Sequence, residues 1–312
     1  MAEKMATREA YGLALAELGE KHLFYVCDAD LSKATRTEHF AKKYPERFFN
    51  IGISEGDMMS TAAGMSTCGS PVFASTFAMF AAGRAYDAVR NSIAYPHRNV
   101  KICATHAGIL INEDGASHQC VEDIALMRVI PEMVVIVPTD AKLTKAAVEE
   151  ALLYDGPVYI RLGGKYAEEL VYDTDISFKI GKGMIVREGT DATIMAVGRM
   201  LYQSLLAADM LKAEGISARV VDMSCIKPMD EELVVRCAKE TGVIVTAEDH
   251  SVIGGLGGAV AEVVSEAHPT VLRRVGVKDK FGMSGSFDEM VKIYGLDAET
   301  IFSAVKDAIK AK

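Results

Sequence analysis

Apolar residues along this 312-residue chain gather into short, nearly continuous runs rich in β-branched side chains, separated by longer stretches with helical spacing. "LFYVCDA", "PVFASTF", "VKICATH", "MVVIVPT" and "PVYIRLG" predict strands. "MFAAGRAYDAVRNSIAY", "VEDIALMRVI" and "DAKLTKAAVEEALLYD" predict the helices between them. Continuous rather than alternating hydrophobicity is what a parallel sheet covered on both faces produces. The pattern stops near Leu162. Residues 163–183, "GGKYAEELVYDTDISFKIGKG", are polar and irregular and predict a linker crossing the surface. Alternation resumes with "DATIMAVG", "ARVVDMS", "GVIVTAEDH" and "TVLRRVGV" as strands, and the tail "DAETIFSAVKDAIKAK" predicts a closing helix. The expectation is an α/β protein of two open α/β domains, residues 1–165 and 186–312, joined by a linker at 166–185.

Composition narrows the partners. Half the residues are hydrophobic, a quarter are charged, and the mean hydropathy is +0.14, which describes a packed globular chain. A net charge of -9 and a pI near 5.4 weigh against nucleic acid and anionic membranes. No apolar run reaches the length of a membrane span, and "MAEKMATREAYGLALAELGE" has the spacing of an amphipathic helix rather than a signal peptide. The six cysteines form no CxxC pair, so reduced and mostly buried thiols in a cytoplasmic protein are expected.

In open α/β sheets ligands bind beyond the carboxyl ends of the strands, and the unusual residues fall there. Glu55 follows "FFNIGI" and opens a helix of small residues, "MMSTAAGM". Phe77 and Phe80 follow "PVFAST", His106 follows "VKICAT", the loop "NEDGASHQ" carries Asp114 and His118, and Arg161 closes "PVYIR". Singly, each has a plain structural reading. Glu55 suits a helix N-terminus, the phenylalanines suit a core, "EDGASH" suits a turn with a cap, and Arg161 suits a local ion pair. Their order and joint placement are what carry weight.

The segments "ISEGDMMSTAAGM", "STFAMFAAGRAYDAVRN", "THAGILINEDGASHQCVEDIALMR" and "PVYIRLGG" resemble the pyrimidine-binding domain of transketolases, with the transketolase C-terminal domain after it. The resemblance spans essentially the whole chain and is strongest to the C-terminal subunit of split, two-polypeptide transketolases. It implies thiamine diphosphate as cofactor. Glu55 would hydrogen-bond N1′ of the aminopyrimidine, where an apolar pocket favours a shared proton. Phe77 and Phe80 would flank that ring, and Leu31 would wedge the cofactor into its bent form. His118 would move protons at the reacting carbonyl and hydroxyl. Asp114 would read a sugar hydroxyl, and His106, Arg161 and Arg8 would hold a sugar phosphate. Two departures bear on the substrate: "AG" follows His106 where full-length transketolases carry Asp-Ser, and "DLSKATRT" lacks their Pro-Ser.

The "GDG" and downstream Asn that hold Mg²⁺ (or Ca²⁺) and the diphosphate in the family are not in the sequence, and no metal ligand is assigned to this chain. The resemblance therefore implies a separate N-terminal subunit, a homodimeric core of this chain, and an α2β2 assembly with the small-residue helix at an interface. Within the second domain, glycines 254, 255, 257 and 258 miss the G-x-G-x-x-G spacing, so a structural turn is expected, with His250 capping or approaching the site. Three alternatives remain: a 1-deoxyxylulose-5-phosphate synthase-like chain, an E1 β subunit acting on 2-oxo acids, or a non-catalytic scaffold. Asp114, His118 and His106 together disfavour the E1 β subunit, because they suit polyols and phosphates. The retained polar rim disfavours the scaffold.

Overall fold

The computed structural model describes residues 4–111 and 114–312. Among them the first sheet comprises β1 (Tyr25–Asp28), β2 (Phe48–Asn50), β3 (Val72–Phe77), β4 (Val100–Thr105), β5 (Val134–Ile136) and β6 (Val158–Arg161). These six run parallel in the order β5-β6-β4-β3-β1-β2. Every residue of β3 and β4 is buried, as their unbroken hydrophobicity requires.

The second sheet holds β7 (Met184–Arg187), β8 (Ala192–Ala196) and β9 (Ala218–Asp222), then β11 (Val243–Ser251) and β12 (Val271–Val277). Its order is β12-β11-β8-β9-β7, parallel except for β7. The remaining strand, β10 (Cys225–Lys227), leaves its own domain and pairs antiparallel with β5, adding a seventh strand to the first sheet. One buried cluster accordingly takes residues from both halves: Val135 and Val137 from the first, Met223, Ile226 and Leu233 from the second.

The segment expected to be a surface linker has no helix or strand between Arg161 and Met184, and it is stitched down at points along its length. Glu168 bridges Met5, the amides of Val171 and Tyr172 donate to Asp140, the Tyr172 hydroxyl donates to Asp222 at 2.8 Å, and Phe178 is buried. Backbone polar groups and one aromatic thus find partners in both domains. Each of the six cysteines is free, and all but Cys68 are buried. No helix among the described residues is long and apolar enough to cross a membrane.

Candidate active site

Strand order places the site. The chain leaves β1 toward β2 on one side and returns to β3 on the other, so the connections diverge above the carboxyl ends of β1 and β3. At the end of β1, the buried Asp28 carboxylate accepts from the Leu31 amide (2.6 Å) and from the hydroxyls of Thr35 (2.7 Å) and Thr37 (2.8 Å). These bonds fix the turn that carries Leu31, which is half-buried. At the end of β3, Phe77 and Phe80 stack with ring centroids 5.7 Å apart and planes 13° from parallel. The His106 ring lies 3.9 Å from Phe77, and His118 stands edge-on to Phe80 at 5.3 Å. Four residues from three separate stretches of chain thus form one aromatic wall.

Glu55 opens the helix Glu55–Ser66 and is 2% exposed. Its carboxylate already has a protein partner. Arg84 Nη1 donates to both carboxylate oxygens, at 3.3 and 3.2 Å, and the same guanidinium lies 4.6 Å over the Phe80 ring. Arg84 reaches Glu55 from the π-helical segment Phe80–Arg84; such wide turns are frequent at functional sites. The arrangement tests whether the cofactor fits. A flat, N–H-bearing cation already rests on Phe80 and donates to Glu55. These are the contacts that the edge and face of an aminopyrimidine need, so the residues present suit that group.

His106 follows β4 with φ of +59°, a left-handed conformation that costs a non-glycine residue about 1–3 kcal/mol and persists where the surroundings enforce it. Thr105 bonds its Nδ1 at 2.9 Å, and Arg8 Nη1 donates to its Nε2 at 3.1 Å. Burial, with Arg8 and then His118 adding to it, lowers the His106 pKa to about 3, so the ring is neutral and Nε2 is an acceptor. Arg8 also donates to the Ala34 carbonyl at 2.9 Å, and its buried Nε has no acceptor among the described residues. Burial and Arg36 lower the Arg8 pKa. An electropositive corner with an unspent guanidinium donor suits an anion.

Arg161, for which the resemblance implied a phosphate-holding role, is already engaged by protein partners. It is 6% exposed, its Nε donates to Asp123 at 2.9 and 3.1 Å, and its Nη2 donates to the carbonyls of Asp249 (2.7 Å) and Cys120 (3.3 Å). Asp123, from the helix Asp123–Arg128, also accepts from the Tyr159 hydroxyl at 2.9 Å. A buried pair so fully bonded is costly to break. Arg161 serves the contact between domains.

Asp114 is exposed, and His118 Nδ1 contacts the Ser117 hydroxyl at 2.9 Å. Asn112 and Glu113 of the same loop lie outside the described residues. Sequence reasoning missed Arg84, Asp123, Gln119 and Asp249. A signal existed only for Arg84, four residues after Phe80, which is side-chain reach on a helical segment.

The glycine-rich turn is structural, as expected. The buried Glu248 carboxylate accepts from the amides of Leu256 (2.7 Å) and Gly257 (2.8 Å), filling the helix N-terminus that a phosphate would need. A side chain at Gly255 would put Cβ 1.9 Å from Glu248 Oε2. His250 is fully buried; its Nδ1 donates to the Ser251 carbonyl at 2.7 Å, and its Nε2 accepts from the Ala125 amide at 3.4 Å. It caps the Asp123–Arg128 helix from the other domain. Among the described residues no group of three or more His, Cys, Asp or Glu is placed to hold a metal ion.

The fold is that of a transketolase pyrimidine-binding domain with its C-terminal companion. The profile described as "Transketolase, pyrimidine binding domain" matches residues 3–165, and that of "Transketolase, C-terminal domain" matches residues 181–301. A putative transketolase C-terminal section of Methanocaldococcus jannaschii is 51% identical over 97% of this chain and 96% of its own length. A 6-deoxy-6-sulfo-D-fructose transketolase subunit of a Clostridium species is 41% identical over 98% of this chain and 95% of its own. Among solved structures, a split gene transketolase described as an inactive β4 tetramer superposes with a TM-score of 0.92 at 55% identity, covering 98% of this chain and 99% of that one. The chain belongs to the transketolase family and corresponds to the C-terminal, pyrimidine-binding section of a split transketolase.

Proposed function

We propose that this chain is one wall of a thiamine diphosphate site that transfers a two-carbon ketol unit between sugar phosphates. The opposite wall comes from a separate N-terminal subunit that carries GDG and a downstream Asn and holds Mg²⁺ or Ca²⁺ with the diphosphate. The observation that carries the reading is the guanidinium of Arg84, seated on Phe80 and donating to buried Glu55 where the aminopyrimidine belongs. When bound, thiamine diphosphate supplies the carbanion chemistry of the transfer.

The chain's own residues do the rest. Glu55 holds a proton against N1′ and so sets the tautomer. Phe77 and Phe80 pack on the heterocycle, and Leu31 orients it. His118, edge-on to Phe80, moves protons at the substrate carbonyl and hydroxyl. Asp114 accepts from a sugar hydroxyl, while Arg8 and neutral His106 receive the phosphate; Arg161 has no part in it. The helix Glu55–Ser66 turns Gly56, Ser60 and Gly64 outward, with open space where Cβ atoms would stand at both glycines, which suits close packing against a second copy of the chain. Two copies with two N-terminal subunits give an α2β2 assembly in the cytoplasm. Nucleic acid and membrane are not among its partners.

Reconstitution with a GDG-bearing N-terminal subunit, thiamine diphosphate and Mg²⁺ tests the reading against a panel of sugar phosphates. The chain alone is expected to be inactive. In the assembly, Glu55→Ala is expected to lower ketol transfer at least about a hundredfold, since tautomer control and proton sharing are lost together. Undiminished transfer by that variant, or turnover of 2-oxo acids and not of sugar phosphates, overturns the proposal.

A further inference from the structure

The loop between Gly108 and Cys120 carries His118, and the other domain grips it. Gly108 and Cys120 exchange backbone bonds (2.8 and 3.2 Å) that close the loop at its base. There β11 meets it: Asp249 Oδ1 accepts from the Ile109 amide at 3.1 Å, and the Ser251 amide donates to the Val121 carbonyl at 2.7 Å. His118 itself sits in one tight turn, because the amides of His118 and Gln119 both donate to the Gly115 carbonyl at 3.0 Å. Both ends of that turn touch residues 282–284, which precede the helix Phe287–Tyr294.

Gln119 Nε2 donates to the carbonyls of Ile109 (2.8 Å) and Met283 (3.0 Å). Two carbonyl acceptors fix which way the amide points. Its buried Oε1 then has no partner among the described residues, a cost accepted for those two bonds. Glycine at 282 answers a need for room: a Cβ there would lie 1.7 Å from Gln119 Oε1. At the other end, a Cβ on Gly115 would lie 2.7 Å from the Ser284 hydroxyl.

We propose that residues 282–284 of the C-terminal domain clamp the Gly115–Gln119 turn, with Gln119 the positioning residue that sets His118 against the aromatic wall. The second domain is thereby part of the active site's geometry as well as of self-association. What the clamp does for the reaction rests on the function proposed above; the clamp itself does not.

The test uses the two-subunit assembly carrying Gly282→Ala, and separately Gln119→Ala. Hydrogen–deuterium exchange of peptides covering 114–121 is compared with that of peptides covering 55–66. Each variant is expected to speed exchange in the first region about tenfold or more and leave the second unchanged. A displaced His118 is expected to lower kcat about 10- to 100-fold, while KM for the sugar phosphate and the Kd of thiamine diphosphate stay within about threefold. Combined with His118→Ala, Gly282→Ala is expected to cause no further loss. Wild-type exchange in both variants overturns the clamp, as does faster exchange with unchanged kcat or a loss fully additive with His118→Ala. A wild-type assembly without ketol transfer would instead sink the functional reading, and exchange would still decide the clamp.

Discussion

One carboxylate has two claimants. In the chain by itself the guanidinium of Arg84 donates to both oxygens of the buried Glu55 carboxylate. On the function proposed above, N1′ takes the place of that guanidinium, and the Arg84 side chain, 57% exposed, has open solvent to retreat into. Arg84→Met removes the competitor and keeps an apolar cover on Phe80. The isolated subunit is expected to bind thiamine diphosphate about tenfold more tightly in this variant, a gain of about 1.4 kcal/mol measurable by titration calorimetry. Weaker binding would show that Arg84 belongs to the cofactor's site rather than competing for it. The same residue marks the limit of sequence reading. Glu55, Phe77, Phe80, His106 and His118 were legible because acids, aromatic pairs and imidazoles are unusual at the ends of buried strands. An arginine advertises no partner: the long side chain selects from whatever the fold brings near, and Arg161 chose Asp123, 38 positions away in the chain.

Elements were legible in proportion to their burial. The strands buried on both faces could be read from their unbroken hydrophobicity, and β3 and β4 match the runs that predict them. The two antiparallel edge strands could not. β10 is three residues, "CIK", followed directly by Pro228, and β7 is four half-buried residues at the end of a polar stretch. Short edge strands are defined by their partner, and β10's partner β5 lies in the other domain. The stitched segment after Leu162 escaped for a related reason, since backbone-to-Asp140 bonds leave no hydrophobic signature. The helix Glu55–Ser66 was legible as a helix, and its outward face makes a claim of its own. Ser60 is exposed, bonding only one turn back to the Gly56 carbonyl at 2.9 Å, and the glycines flanking it have nothing within 4 Å of their Cβ positions. Helix axes approach to about 8 Å only where side chains are this small. Ser60→Trp is therefore expected to shift the chain toward monomer in sedimentation velocity while circular dichroism and thermal unfolding stay as in wild type. An unchanged sedimentation coefficient would remove this face from the self-association surface.

At the scale of the whole molecule the buried ionisable groups oppose one another as pH changes. His106 and His250 are held neutral, with pKa values lowered by burial to about 3 and about 4. Between those values and the ordinary imidazole range the unfolded chain binds more protons, so each histidine costs stability as pH falls through about 6.5. Glu248 and Asp222 do the reverse. Burial raises them to about 7 and about 6, so the folded state takes up protons first, and each adds stability as pH falls toward the ordinary carboxylate range. As pH falls, then, the two histidines act against stability and the two carboxyls for it. Removing a single histidine should expose the imbalance. In His106→Gln the amide still offers Arg8 an acceptor but cannot take a proton in either state. Whatever its stability at pH 7, the variant is expected to gain on wild type by about 2 kcal/mol as pH falls to 5, at about 1.4 kcal/mol per unit below the unfolded-state pKa. Urea unfolding of both proteins at several pH values measures that gap. A gap independent of pH would mean that His106 takes up its proton equally in the folded and unfolded chain, and below about pH 6.5 Arg8 would then need another partner for the donor it now directs at that ring.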